Sequence, residues 1–284
     1  QWTIVQGAGS FANASRYDTE VYQLGKGENI FRWTIYEYEI THDDVSITNN
    51  SPSTAIAGMD QSLCADSSIL SASDPVVGTG KWSIAGGYGI IADINAANTS
   101  IRDLSPGSNT LRWTVTNGSC SSSDEVIIIN NLPTPASAGA DQVSCEDSIS
   151  LYPNTPTIGK GEWSVISGAG NFSGNKAYNL GINENMFKWT ISNKGCSSSD
   201  TVKITSHKPT IAYTVPSLST CYDTILLSGN VPVHGTGSWT IISGSADIED
   251  LTNPNTPVRN LGIGSNKFRW TINYEECSSF SDIT

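Results

Sequence analysis

Methionine is almost absent from this chain, histidine occurs three times, and only 15% of the residues carry charge. No apolar run approaches the ~20 residues of a membrane helix, so no membrane insertion is expected of this segment. Acidic residues outnumber basic ones, for a net charge of −12. That balance excludes the basic stripe a nucleic-acid binder needs and favours solubility. No stretch carries a capped 3.6-residue apolar period, so almost no helix is predicted. The start, QWTIVQGAGS, lacks the basic and apolar regions of a signal peptide, and any export signal is expected outside it.

What is abundant is hydroxyl: Ser and Thr number 67 of the 284 residues. Such a chain suits short strands joined by many turns. Its main feature is repetition. LGKGENIFRWTI (24–35) returns as LSPGSNTLRWTV (104–115), LGINENMFKWTI (180–191) and LGIGSNKFRWTI (261–272). All eight tryptophans fall into pairs: Trp2/Trp33, Trp82/Trp113, Trp163/Trp189 and Trp239/Trp270. The first of each pair sits in a second phrase, GTGKWSI, GKGEWSV or GTGSWTI, reduced to QWTI at the start. The repeat is thus about 80 residues long. The expected divisions are a truncated repeat at 1–49, whole repeats at 50–131 and 132–208, and a repeat at 209–284 cut in its last strand. The chain therefore reads as a piece of a longer array.

Short strand-like runs separated by Gly, Pro and Asn turns indicate an all-β fold, and roughly seven strands per unit suggest an immunoglobulin-like sandwich. Alternation in FRWTI places Phe31, Trp33 and Ile35 on one face and Arg32 and Thr34 on the other. By the same rule Trp82 pairs with Ile84, Trp163 with Val165 and Trp239 with Ile241 on an apolar face. All eight tryptophans are therefore assigned to the core, where a small domain needs large aromatics. Leu24, Leu104, Leu180 and Leu261 join them. Asn29, Asn109, Asn185 and Asn266 stand where a turn enters the strand, placed to bond neighbouring backbone. Gly27, Gly107 and Gly264 are expected at positive φ, with Asn183 in that place in the third repeat.

The six cysteines keep the same register. Cys64, Cys145 and Cys221 each precede a first Trp by 18 residues, and Cys120, Cys196 and Cys277 each follow a second Trp by seven. The first repeat has Ile40 at the later place. Of fifteen connectivities, register favours one bridge inside each unit: Cys64–Cys120, Cys145–Cys196 and Cys221–Cys277. Closing a loop of about 56 residues contributes ~4 kcal/mol in the chain-entropy model. No zinc-like C-x-x-C pair competes. Disulfides imply an oxidising, extracytoplasmic location.

Catalysis should break repeat symmetry with a cluster of reactive groups, and none is visible. His42, His207 and His234 fall at unrelated positions and read as loop or surface residues. No nucleophile–base–acid set emerges. GGYG (86–89) and SGAG (167–170) read as hairpin turns, with no helix following to make a phosphate loop. Asp60 and Asp141 recur near the start of two units and read as turn formers, with a junction cation as the competing role. Arg32, Arg112, Lys188 and Arg269 point away from the tryptophans, open to an anionic partner. No cofactor or metal is expected, and the chain reads as no enzyme.

The links 49–58, 130–139 and 206–214 each carry proline, which stiffens a linker; an extended string of sandwiches is expected. AGADQVSC (138–145), the GxGxW phrase, LSPGSNTLRWTV and NGSCSSSDEVIII (117–129) together resemble the PKD-like/Ig-like repeats of giant Bacteroidota cell-surface proteins, among them the SprB-type gliding-motility adhesins. The resemblance covers the whole chain. It implies type IX secretion, an extracellular, outer-membrane-associated cell-surface location, and adhesion to a substratum or surface polysaccharide through other parts of the protein. Other secreted or outer-membrane surface proteins are possible partners under it. It also implies O-glycan attachment at Asp-Ser/Thr motifs, here Ser148, Thr201 and Thr224. The function expected is a non-catalytic stalk segment of a secreted adhesin. The alternatives are a repeated carbohydrate-binding module and an accessory array attached to an extracellular enzyme.

Overall fold

A computed structural model describes residues 1–284. It contains strands and turns and no helix. The chain divides into two compact units, Gln1–Leu132 and Pro133–Thr284, and each contains two copies of the repeat.

The second repeat shows the plan. One sheet joins Gln61–Leu63, Cys120–Asn130, Gly107–Asn117 and Thr79–Gly86 in that order. The other joins Ser68–Ser71, Asn98–Arg102 and Ile90–Ile91. Neighbouring strands are antiparallel except Gln61–Leu63, which runs parallel to the end of Cys120–Asn130, with Leu63 opposite Asn130. Seven strands in sheets of four and three form an immunoglobulin-like sandwich. The third repeat repeats the same order in both sheets. The fourth has three strands in each sheet. The first has a sheet of Trp2–Gln6, Gly27–Tyr36 and Ile40–Asn49, beside the short ribbon Ser10–Phe11/Val21–Tyr22.

Alternation places the core as the residues require. Along Gly107–Asn117, Asn109, Leu111, Trp113 and Val115 are all buried. Trp82 lies opposite Trp113, Trp163 opposite Trp189 and Trp239 opposite Trp270. The paired rings stand 5.1–5.2 Å apart in tilted contact, an arrangement aromatic quadrupoles favour. Each full sandwich has its own apolar cluster built around such a pair. Trp2 and Trp33 make the same contact at 5.3 Å but stay half-exposed, because no strand stands where Ser68–Ser71 closes the second sandwich.

Ile84, Val165 and Ile241 do face Leu111, Phe187 and Phe268 across the sheet. They share the tryptophan face, as alternation predicts, yet are 39–41% exposed. Their strands lie at the sheet edge, and pairing slips one register just beyond each of them in the third and fourth repeats.

The GxGxW phrase has a packing cause. A Cβ on Gly80, Gly161 or Gly237 would fall within the ring of Trp113, Trp189 or Trp270. Glycine there lets the indole lie flat across the neighbouring backbone.

Candidate functional site

The proline-bearing links are not free linkers. Ala55, Ala57, Ala138 and Ala212 are buried, and their backbone is held along the last strand by side chains. Ser122 Oγ accepts from Ala55 N at 3.0 Å and Asp124 Oδ2 from Ala57 N at 2.8 Å. Ser198 and Asp200 do the same for Ala136 and Ala138. In the fourth repeat Ser279 and Ser281 receive Ala212 and Thr214. These bonds explain why CSSSD recurs, a role that sequence reading missed because it depends on a distant backbone. The two backbone N–H bonds it accepts, from Ala138 first and then Thr201, hold the Asp200 carboxyl below the usual carboxylate range.

The recurrent asparagines clasp two loops together. Asn109 is fully buried; its Nδ2 donates to the carbonyls of Ser105, Gly107 and Ile128, and its Oδ1 accepts from Tyr88 N and Ser105 Oγ. Asn29, Asn185 and Asn266 make the corresponding bonds. Gly27, Gly107 and Gly264 take φ of 84°, 88° and 103°, and Asn183 takes 69°, as the turn reading expects.

In the first, second and fourth repeats the arginine beside the second Trp is paired within its own hairpin. Arg32 forms a two-pronged pair with Asp44, Arg112 pairs with Glu125, and Arg269 with Asp282. Lys188 faces Thr201 instead. Asp282 also meets Lys267 at 2.8 Å. The hydrogen bonds from Arg269 and then Lys267 hold its carboxyl far below the ordinary range. Asp60 and Asp141 accept the N–H groups of Ile127 and Lys203, each at 2.8 Å. They satisfy strand backbone, and no group of acidic, His or Cys side chains is arranged to hold a metal.

Cysteine pairing departs from the expected scheme. Cys145 is bonded to Cys277, with Cα atoms 5.4 Å apart. Cys64 and Cys196 are also disulfide-bonded, while Cys120 and Cys221 carry free, exposed thiols. The in-unit pairs Cys64–Cys120, Cys145–Cys196 and Cys221–Cys277 are therefore corrected, and the reason is strand direction. Ser144 lies opposite Ser206, the last residue of the Cys196–Ser206 strand. Cys145 follows Ser144, so it sits at one end of the sheet while Cys196 opens the same strand at the other. At ~3.3 Å per residue that separates them by about 30 Å, far beyond disulfide reach. Cys64 and Cys120 are kept apart by the same pairing of Leu63 with Asn130.

The Cys145–Cys277 bond instead joins the third repeat to the fourth, inside one compact unit. Other groups gather beside it. His207 Nδ1 lies 2.8 Å from Glu276 Oε2, and Lys208 Nζ lies 2.9 Å from Asp147 Oδ2. The Tyr274 hydroxyl donates to Asn183 Oδ1, and its ring packs against His207 and His234. Two histidines expected as loop or surface residues thus belong to a junction, while His42 is exposed. Glu276 is held below its ordinary range by its own backbone N–H first and by His207 second. Asp147 is held low by Lys208.

Of the modification candidates, Thr201 and Thr224 are exposed and Ser148 is half-buried. A cavity of about 530 Å³ is walled in the fourth repeat by residues including Leu218, Cys221, Leu261, Phe268 and Ile283. It lies beside Leu218–Thr220, the register equivalent of the Gln142–Ser144 edge strand. There no strand forms, and Leu218 N bonds Thr284 O at 3.0 Å.

No protein-family model and no curated protein matches the chain. Among solved structures it is similar to the titin fragment I67–I69, at 12% identity and a TM-score of 0.39, over 83% of this chain and 96% of that one. It is also similar to the insect immune protein hemolin, at 10% identity and a TM-score of 0.35, over 99% and 90%. Sidekick-1 immunoglobulin domains 1–5 match at 10% identity and a TM-score of 0.34, over 100% and 72%. The chain is built of immunoglobulin-like β-sandwich repeats.

Proposed function

We propose that this chain is a non-catalytic structural segment of a large, secreted cell-surface adhesin of the SprB-type gliding-motility class. The observation that supports it best is the covalent bond between the third and fourth repeats. A junction fixed by a disulfide suits a spacer that transmits tension in an oxidising medium. Six of the eight tryptophans are buried, which weighs against the alternative of a lectin using them as open sugar platforms. Contact with polysaccharide, substratum or other surface proteins falls to other parts of the protein in this reading, and Thr201 and Thr224 are accessible for O-glycans.

The test is made in a bacterium that encodes the chain. Antibody against the recombinant array should label intact cells, and deleting these repeats in frame should reduce attachment to glass. Absence of label on intact cells while lysates react would overturn the reading. A glycan array bound by the isolated chain through Trp-dependent contacts would favour the lectin instead.

A further inference from the structure

Four of the six cysteines are disulfide-bonded, and the two that are not occupy the same structural places as two that are. Cys120 opens the last strand of its repeat opposite Asn117, just as Cys277 opens its strand opposite Tyr274. Cys221 sits in the same loop as Cys145. Two residues on, the carbonyl of Asp147 accepts from Leu180 N at 3.1 Å, and that of Asp223 accepts from Leu261 N at 2.9 Å. The loop bearing Cys64 makes the same bond, from Leu104 N to Asp66 O at 2.8 Å. Within one sandwich these two places lie at opposite ends of a sheet, so an early cysteine cannot reach the late cysteine of its own repeat.

We propose that Cys120 and Cys221 are half-cystines of the same inter-repeat staple. Cys221 bonds the late cysteine of a repeat joined after it, and Cys120 bonds the early cysteine of a repeat joined before it. Cys145–Cys277, with its separation of 132 residues, is the observed example of that bond. The partner is an adjoining sandwich of the same register. Bond formation is a thiol–disulfide exchange with a disulfide oxidant: two Cys–SH and one R–S–S–R give Cys–S–S–Cys and two R–SH. The inference stands whether or not the array serves adhesion.

The test extends the chain after Thr284 with a second copy of residues 128–208, which continues the strand in register, and produces it in an oxidising compartment. Proteolysis without reduction, followed by mass spectrometry, should recover a peptide linking Cys221 to the added copy of Cys196. Alkylation without reduction should then label Cys120 and the added copy of Cys145. Replacing the added copy of Cys196 with Ser should return Cys221 to the alkylated pool. The unextended chain should titrate two thiols with a disulfide reagent under native conditions. Cys221 remaining alkylated in the extended chain, or bonded to Cys277 or to a second molecule, would overturn the proposal. Fewer than two thiols in the unextended chain would do the same.

Discussion

Asn109 and Gly161 show how much a single position carries in this sandwich. Asn109 bonds three carbonyls and one backbone N–H while itself buried. Removing a buried partner leaves those groups without water or replacement, at about 1–3 kcal/mol each when unrelieved. Asn109→Ala should therefore destabilise its repeat by about 2–4 kcal/mol, read as a loss of Trp82 and Trp113 protection in urea titration. Gly161→Ala drives a methyl into the Trp189 ring, and overpacking costs typically ~1–3 kcal/mol. A lowered melting temperature with altered tryptophan emission is the expected outcome; unchanged melting would refute the packing account. Both roles were partly legible beforehand. Alternation placed the tryptophans inward and turn chemistry placed the asparagine, but that a glycine is missing its side chain for the sake of a particular ring is a contact between strands.

At the scale of the strand and hairpin, a carboxylate on the facing strand occupies the arginine beside the second Trp in the first, second and fourth repeats. The two side chains leave on opposite faces, and Arg269 closes on Asp282 across the hairpin, over the Phe280 ring at 3.8 Å. The Asp282 carboxyl is depressed in the folded state, so its contribution is fully present above the unfolded carboxylate range. It is lost as pH falls from about 4 toward the folded value. Hydrogen exchange at the Lys267–Tyr274 strand should show protection declining below pH 4 relative to neutral pH, and Asp282→Asn should abolish that extra decline. The links between repeats were harder to read. Proline and small residues suggest a spacer, and nothing local reveals that Ser198 and Asp200, some 60 residues on, hold Ala136 and Ala138. Asp200→Ala should loosen the 133–140 segment, seen as faster exchange at Ala138, while the Trp163–Trp189 pair stays protected.

At the scale of the whole molecule, repetition made the array visible and hid the connectivity. Equal spacing fixes which cysteines are equivalent, but it is silent about which equivalents meet. That depends on the parallel edge strand, only three residues long, which carries the early cysteine to the far end of the sheet. The bond it permits encloses 132 residues of chain. At ~3.4 Å per extended residue, single-molecule pulling on the full chain should release at least about 450 Å more contour length after reduction than before. Equal lengths in both conditions would contradict the bridge.

The staple also changes what failure means for the fourth sandwich. In a string joined only through the backbone, pulling on the ends stretches every fold in series. With sulfur linking Cys145 to Cys277, tension can pass from the third sandwich to the end of the fourth without crossing the Trp239–Trp270 core. That core is then sheltered from force and can unfold or refold without lengthening the path, and the route of the load is chosen by the redox state of the surroundings.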